Sequence, residues 1–238
     1  MKLTFIKQIL FDADDTLWEN NVYYIKATND FLDLLVEKGL NREQLQQEFD
    51  ELELWVVKER GYGSHNFVYI LEVLYERYQN LIDYRQFKSI VQRFEDHPNN
   101  PKLFEGVIDT LNALKEKYTL YVLTKGDFKE QEQKIINAGI DKIVNGYFIV
   151  PEKEDAVYQQ ILTQRNWKAK ETCMVGNSPK SDINPALRVG MYAIYIPYAN
   201  TWKLDYEEVK PVQGRYFKVQ RFSDLKDWLY WDFCEKQK

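Results

Sequence analysis

Short apolar runs alternate with helical patterns over residues 107–197, and this alternation limits the fold more than any other feature of the chain. Together with an apolar run at 4–11, the predicted strands are 118–124, 146–150, 172–176 and 192–197. The helices predicted between and beside them are 107–117, 128–138, 154–165 and 181–190. Strands that alternate with helices are typical of a parallel sheet covered on both faces. The sequence therefore predicts an α/β fold.

The first predicted strand is separated from the others by a long stretch with only helical patterns. Helices are predicted at 22–38, 41–59, 66–79 and 83–95, and Asn41 and Gln44 stand at the spacing of a capping box. We expect an α/β core domain made of residues 1–17 and 100–238, with an all-helical domain of residues 18–99 inserted into it. A final helix is predicted at 223–236.

The overall composition excludes several classes of partner. The formal net charge is −5 and there is no basic block, which argues against nucleic acid and against anionic membrane surfaces. No apolar run approaches the roughly 18 residues of a membrane helix. Cys173 and Cys234 lie far apart and form no metal-binding spacing. We expect a cytoplasmic protein, a monomer or small homo-oligomer, with neither a membrane nor a nucleic-acid partner.

Polar side chains follow four of the predicted strands, at the point where each strand ends. They are Asp12 and Asp14, Thr124 and Lys125, Lys153, and Asn177 with Asp182. Sites in open parallel sheets form at the carboxyl ends of the strands. We therefore expect these side chains to meet in one site, although long sequence intervals separate them.

The residue types in this set suit the handling of a phosphoryl group. Asp12 can attack phosphorus as a carboxylate nucleophile and form an acyl phosphate. Asp14 can protonate the leaving oxygen and then activate water. The hydroxyl of Thr124 can donate to a phosphoryl oxygen, and the ammonium group of Lys153 can offset the charge that develops during transfer. The sequence therefore predicts Asp12, Asp14, Thr124 and Lys153 as catalytic residues.

The density of carboxylates predicts a bound cation. Mutual repulsion makes such a cluster costly unless a positive group lies within it. Magnesium prefers oxygen ligands, and it can bridge a carboxylate and a dianionic substrate. We predict Mg²⁺ as the cofactor, with Asp12, Asp14, Asn177 and Asp182 as the metal-binding residues.

At these positions the sequence resembles the haloacid dehalogenase (HAD) superfamily. The similarity rests on "DADDT" at 12–16, "LTKGD" at 123–127, Lys153 in "PEKEDAVYQQIL", and "VGNSPKSDINPALRVGMYAIYI" at 175–196. It implies a Rossmann-like core and magnesium-dependent transfer through an aspartyl-phosphate. It also implies that a helical insertion between the first two motifs, here residues 18–99, serves as a cap.

Two details of the motifs matter within this superfamily. Its dehalogenase branch generally lacks an acidic residue two places after the nucleophile, so the presence of Asp14 favours phosphate-ester chemistry. Its phosphatases usually carry "GDS" where this chain has "GNS" at 176–178. Since Asn177 lacks the negative charge of an aspartate, we expect weaker binding of the metal.

A glycine-containing segment of the helical domain is the predicted contact with substrate. The segment "KERGYGSHN" at 58–66 carries Arg60 and His65, and an ordinary turn between helices is the alternative. With Lys125, these two residues complete the predicted substrate-binding set.

The function predicted from the sequence is magnesium-dependent hydrolysis of a small phosphorylated metabolite through an aspartyl-phosphate. One alternative is a phosphomutase, which would use the same core residues and protect the phosphoenzyme from water. Another is a binding module that keeps the fold without catalysis.

Overall fold

The computed structural model describes residues 5–96 and 100–226. The chain divides into two compact units, one of Met1–Glu19 with Pro101–Lys238, and one of Asn20–Asn100. Most of the helix predicted at 223–236 lies outside the described residues, although 224–226 are helical. Within the described part of the chain, no helix is both long and apolar enough to cross a membrane.

The first unit contains a six-stranded sheet in which every strand pairing is parallel. Its strands are β1 Gln8–Phe11, β2 Thr119–Lys125, β3 Tyr147–Val150, β4 Thr172–Gly176, β5 Tyr192–Tyr195 and β6 Tyr216–Lys218. The strand order is β3-β2-β1-β4-β5-β6, so the direction of chain progression reverses at the central strand β1. The predicted α/β class with a Rossmann-like parallel sheet is confirmed. Ligands of such sheets bind outside the carboxyl ends at the reversal point.

The central strand is buried on both faces because its side chains alternate between two apolar cores. Ile9 and Phe11 belong to one core and Leu10 belongs to the other. The register pairs Phe11 with Val122 of β2 and with Val175 of β4. Strand β4 therefore ends one residue beyond the level of Phe11 and β2 three residues beyond it. The residues that follow β1 lie beside the last residues of both neighbouring strands.

The second unit consists of helices α1 Asn21–Val36, α2 Arg42–Arg60, α3 Ser64–Tyr78 and α4 Tyr84–Glu95. The side chain of Asn41 accepts a hydrogen bond from the backbone N–H of Gln44 at 3.0 Å and caps α2 as its spacing indicates. This unit has its own apolar core, which includes Phe31, Leu71 and Leu74.

The helices beside the sheet are α5 Val107–Leu114, α6 Phe128–Asn137, α7 Asp155–Gln164 and α8 Asn184–Arg188. Two of them differ from the prediction by more than one residue at an end. The first, α5, ends at Leu114, not at residue 117. The segment predicted as one helix at 181–190 is not one continuous helix. A π-helical turn, Pro179–Ile183, overlaps its start and is followed by α8. Pro185 has no N–H to continue a regular helical ladder, which accounts for the interruption.

The segments of the first unit that lead to and from the helical unit are hydrogen-bonded to each other. The N–H of Glu19 donates to the carbonyl of Lys102 at 3.0 Å, and the N–H of Phe104 donates to the carbonyl of Leu17 at 3.0 Å. Trp18 and Leu103 form an antiparallel bridge between them. The chain therefore leaves and re-enters this unit at a single two-stranded ribbon.

Candidate active site

A tight turn after β1 places Asp12 and Thr16 side by side. The N–H of Asp12 extends the ladder to Val175 of β4 at 2.9 Å. Asp15 then adopts a φ of 61°, a left-handed conformation that aspartate tolerates better than most residues. The Thr16 hydroxyl lies 3.0 Å from Oδ2 of Asp12 and 3.1 Å from Oδ1 of Asn177. The ends of β1 and β4 are thus joined through one hydroxyl group.

Lys153 joins two of the predicted carboxylates. Its buried ammonium group donates to Oδ1 of Asp12, to Oδ1 of Asp182 at 2.6 Å, and to the carbonyl of Leu123 at 3.2 Å. The side chains of Lys153 and Asp182 are 2% and 0% exposed. The structure therefore brings Asp12, Lys153 and Asp182 together, although they follow three different strands.

Two carboxylates facing one ammonium group leave an excess of negative charge. Burial raises the pKa of Asp12, and Lys153 offsets only part of this effect. Burial and the neighbouring charge of Asp12 raise the pKa of Asp182 to about 7. Burial alone would lower the pKa of Lys153, but both carboxylates outweigh burial and raise it. The cluster is therefore a favourable environment for one further positive charge.

Gly176 makes room for Asp182 at the end of β4. A Cβ atom at position 176 would lie 2.2 Å from Oδ2 of Asp182, a distance that no side chain could accept. The same oxygen accepts the N–H of Ser178 at 2.9 Å. Sterics therefore explain why a glycine stands at position 176 of "GNS": it lets the buried carboxylate of Asp182 pack directly against the strand.

Asp14 is held by three donors from outside this cluster, although its charge also acts on Asp12. Lys134 lies 3.1 Å from both carboxylate oxygens, Trp18 donates to Oδ1 at 2.7 Å, and Gln131 donates to Oδ2 at 3.1 Å. Burial would raise the pKa of Asp14, but the charge of Lys134 and these hydrogen bonds outweigh it, and the pKa lies below its usual value. A quarter of the Asp14 side chain, 25%, stays exposed, so a substrate oxygen or a water molecule can reach it.

The two predicted residues at the end of β2 have different surroundings. The hydroxyl of Thr124 is buried and accepts a hydrogen bond from Gln131 at 2.6 Å. Lys125 forms an ion pair with Asp205 and donates to the hydroxyl of Ser181 at 3.1 Å. A role for Lys125 in substrate binding stays a prediction, and in this structure its charge is already matched by a carboxylate.

Arg60 and His65 belong to the helical unit, and their contacts are described within that unit alone. Arg60 donates to the side chain of Asn66 at 3.1 Å and lies over the ring of Tyr69, 4.1 Å from its centroid. His65 is exposed. Both residues therefore remain predictions as substrate contacts, and Arg60 also helps to hold the segment in which it lies.

The oxygen atoms of the cluster suit a magnesium ion of partly aqueous coordination. Within the described residues there is no group of three or more His, Cys, Asp or Glu that could hold a metal. The candidate ligands are two carboxylates, Asp12 and Asp182, with the amide oxygen of Asn177. Magnesium usually binds through one or two carboxylates, several waters and a substrate phosphate. The donors and the excess negative charge fit that ion, and the predicted role of Asp14, which pairs with Lys134, as a further metal ligand stays a prediction.

Several residues that complete this region were not predicted from the sequence: Gln131, Lys134, Asp205, and Thr201, whose hydroxyl accepts from the Asn177 side chain at 3.2 Å. A signal existed for two of them. Gln131 and Lys134 lie three residues apart in α6 and share its buried face with Ile135. Polar residues on a buried helix face need partners, so the helical period could have indicated that they meet polar groups at the sheet.

Fold and site together define a Rossmann-like α/β protein with an acidic site where the chain reverses direction in the sheet. The family described as haloacid dehalogenase-like hydrolase matches residues 6–190. The chain belongs to this family, and the predicted membership is confirmed. It is a hydrolase.

Similar proteins cover nearly the whole chain. A protein of Methanocaldococcus jannaschii named glyceraldehyde 3-phosphate phosphatase is 28% identical over 93% of this chain and 96% of its own length. A Pyrococcus furiosus protein of the same name is 28% identical over 85% of each. The crystal structure of a haloacid dehalogenase-like family hydrolase from Xanthomonas campestris aligns with a TM-score of 0.78 and 28% identity, covering 94% of this chain and 95% of the other.

Proposed function

We propose that this hydrolase removes the phosphate group from a small phosphorylated metabolite through an aspartyl-phosphate on Asp12. The chain is a phosphate-monoester hydrolase of the HAD type, a class that its family and its curated relatives support. The observation that carries the mechanism is the bridge from Lys153 to Asp12 and Asp182 at adjacent strand ends. The alternative of a binding module without catalysis is less well supported, because the family is one of hydrolases and the chain keeps the carboxylates and the ammonium group that a phosphatase needs.

In the first step, a carboxylate oxygen of Asp12 bonds to phosphorus while the bond from phosphorus to the leaving oxygen breaks. Asp14 gives a proton to that leaving oxygen, and the alcohol departs. Because Lys134 holds the pKa of Asp14 below its usual value, the carboxyl has to take up this proton as the anionic substrate binds beside it. Lys153 favours the ionised form of Asp12, against the effect of burial, and offsets charge on the transferring group. The hydroxyl of Thr124 donates to a phosphoryl oxygen.

In the second step, Asp14 acts as a base. Its carboxylate, the form that Lys134 favours, takes a proton from water as the water oxygen bonds to phosphorus. The bond to Asp12 breaks, inorganic phosphate leaves, and both aspartates return to their starting states. When Mg²⁺ is bound by Asp12, Asn177 and Asp182, it supplies positive charge that lets an anionic substrate approach an anionic nucleophile.

The substrate is proposed to be a small phosphorylated metabolite that the helical unit, acting as a cap, selects. Glyceraldehyde 3-phosphate is the first compound to test, because the curated relatives take their name from it. A cytoplasmic location and a monomeric or small homo-oligomeric state stay predictions.

The proposal is tested by the release of inorganic phosphate from an aryl phosphate and from a panel of phosphorylated metabolites. We expect release with Mg²⁺, loss of release with a chelator, and recovery when Mg²⁺ is added back in excess. Wild-type protein that releases no phosphate from any of these compounds, with or without Mg²⁺, would contradict the proposal.

Replacing Asp182 tests the metal site. Asp182→Ala removes one of the two carboxylates of the cluster, so we expect the Mg²⁺ concentration for half-maximal activity to rise by about tenfold or more. Calorimetric titration with Mg²⁺ should show the same loss of affinity. An unchanged Mg²⁺ requirement would remove Asp182 from the ligand set.

Asn177→Asp is the opposite change at the same site. It adds a negative charge beside the hydroxyl of Thr16, so we expect Mg²⁺ to bind more tightly than in the wild type. A weaker response to Mg²⁺ would argue against contact between this residue and the ion.

Arg60→Ala tests whether the helical unit selects the substrate. We expect the order of preference among metabolites to change, while hydrolysis of the aryl phosphate stays within about threefold of the wild type. Loss of the contact with Tyr69 should cost at most about 1 kcal/mol of unfolding free energy. Arg77→Ala is the matched control, because Arg77 lies in the same unit and pairs with Glu48. If both variants rank the metabolites alike, Arg60 has no role in selection.

A further inference from the structure

We infer that Gln131 is a positioning residue of this reaction, which sets the direction of the Thr124 hydroxyl and fixes Asp14. This inference rests on the proposed function, because it assigns Gln131 an effect through two residues of that mechanism. Gln131 lies in α6, outside the four sequence motifs, and is 3% exposed.

The side-chain amide of Gln131 joins the residues that follow two different strands. Its nitrogen lies 2.6 Å from the Thr124 hydroxyl at the end of β2 and 3.1 Å from Oδ2 of Asp14, which follows β1. The carbonyl of Lys125 lies 3.1 Å from the same nitrogen. One amide group therefore contacts both the predicted acid/base and the predicted phosphate-binding hydroxyl.

The neighbours of this amide determine whether its nitrogen or its oxygen faces them. The Asp14 carboxylate and the Lys125 carbonyl are acceptors only, so the amide nitrogen must point towards them and the amide oxygen away. An amide nitrogen cannot accept, so Thr124, its closest neighbour at 2.6 Å, accepts one of its two N–H groups, and Asp14 and the Lys125 carbonyl, both at 3.1 Å, share the other. Because the Thr124 oxygen accepts from Gln131, its own proton remains available to donate to a phosphoryl oxygen.

The other end of the same amide argues against a purely stabilising role. Among the described residues, the buried Oε1 atom of Gln131 has no hydrogen-bond partner. A buried polar atom without a partner is unfavourable for folding, so an apolar side chain of the same size would avoid that cost. The feature that an apolar residue could not supply is the pair of N–H donors aimed at Thr124 and Asp14.

Gly126 leaves the space that this side chain occupies. Its φ is +142°, and a Cβ atom there would lie 3.2 Å from Cγ and 3.4 Å from Cδ of Gln131. The glycine after Lys125 therefore accommodates the Gln131 side chain across the end of β2. This contact is independent of the hydrogen bonds and agrees with a defined position for the amide.

The test compares wild-type protein with Gln131→Met, which keeps the size of the side chain and removes both donors. We expect kcat/KM for phosphate release to fall by about 10- to 100-fold, because misplaced catalytic groups reduce rates by such factors. Inorganic phosphate should bind more weakly in a calorimetric titration. The unfolding temperature should be equal to or higher than that of the wild type. Gln133→Met is the control, since Gln133 is an exposed glutamine of the same helix.

A double-mutant cycle with Thr124→Val separates positioning from other effects. If Gln131 acts through the Thr124 hydroxyl, Gln131→Met should cost several-fold less in the Thr124→Val background than in the wild type. An equal loss in both backgrounds would overturn the inference. So would unchanged kinetics in Gln131→Met, or a large fall in its unfolding temperature, which would assign Gln131 a structural role. Failure of the proposed function is a separate result, since wild-type protein would then release no phosphate that depends on Asp12.

Discussion

Asp12→Asn is expected to reduce the release of phosphate by about a thousandfold or more, the largest effect on activity that we predict. Asparagine keeps the size of the side chain but has no carboxylate oxygen that can bond to phosphorus. The surrounding contacts should largely persist, because the amide oxygen can accept from the Lys153 ammonium while the amide nitrogen donates to the Thr16 hydroxyl, which contacts the other oxygen of Asp12 in the wild type. The measurement is single-turnover phosphate release at saturating Mg²⁺.

The stability of this variant separates loss of chemistry from loss of fold. Asp12→Asn removes one of the two negative charges that share Lys153, and the pKa of Asp182 should fall because the charge of Asp12 helps to raise it. We therefore expect an unfolding temperature close to that of the wild type. Asp109→Asn, at an exposed aspartate of α5, is the control and should keep full activity. Equal activity in wild-type and Asp12→Asn protein would exclude Asp12 as the nucleophile.

Lys153→Met is expected to have the largest effect on stability, a loss of about 3–5 kcal/mol in the free energy of unfolding at pH 8. The change leaves Asp12 and Asp182 buried, close to each other and without their shared counter-charge. Their pKa values already lie above the ordinary range, so protonation would relieve part of the repulsion at lower pH. The loss of Lys153 raises both pKa values further, because its charge and hydrogen bonds lower them, so part of this relief remains at pH 8 and the cost should grow as the pH rises. Activity should be lost as well, since no ammonium group then faces the transferring phosphoryl group.

Addition of Mg²⁺ makes this prediction more specific. If the ion binds between the two carboxylates, it should raise the unfolding temperature of Lys153→Met more than that of the wild type, because it replaces part of the missing charge. Lys170→Met, at an exposed lysine of the same unit, should unfold as the wild type does, with or without Mg²⁺. A Lys153→Met protein as stable as the wild type would show that the bridge contributes little to folding.

Much of the sheet could be predicted because the strands are apolar on both faces and polar residues mark their ends. Strand β6 was missed, since Tyr216–Lys218 has only three residues and no extended apolar run. The turn that holds Asp182 was expected to be an ordinary first helical turn. It is instead a π-helical turn that starts at Pro179, and Gly176 leaves the room for the Asp182 side chain.

The candidate site was predictable to the extent that its residues follow strands directly. Asp12, Lys153 and Asp182 meet because the parallel register brings their strand ends together. Gln131 and Asp205 were not predicted, since they reach the region from a helix face and from a late loop. Asp205 contacts Lys125 across 80 positions of sequence, a pairing that no local pattern encodes. The catalytic and metal-binding roles of all these residues stay predictions.

The paired ribbon of Leu17–Glu19 with Lys102–Phe104 bears on how such an enzyme can diversify. Hydrogen bonds already join the two ends of the inserted segment. We therefore expect that residues 20–100 could be exchanged for another module without a change in the register of the sheet or in the positions of Asp12 and Lys153. If the proposed roles hold, new specificities could arise by recombination of the insert alone, while the residues that follow the strands are inherited unchanged.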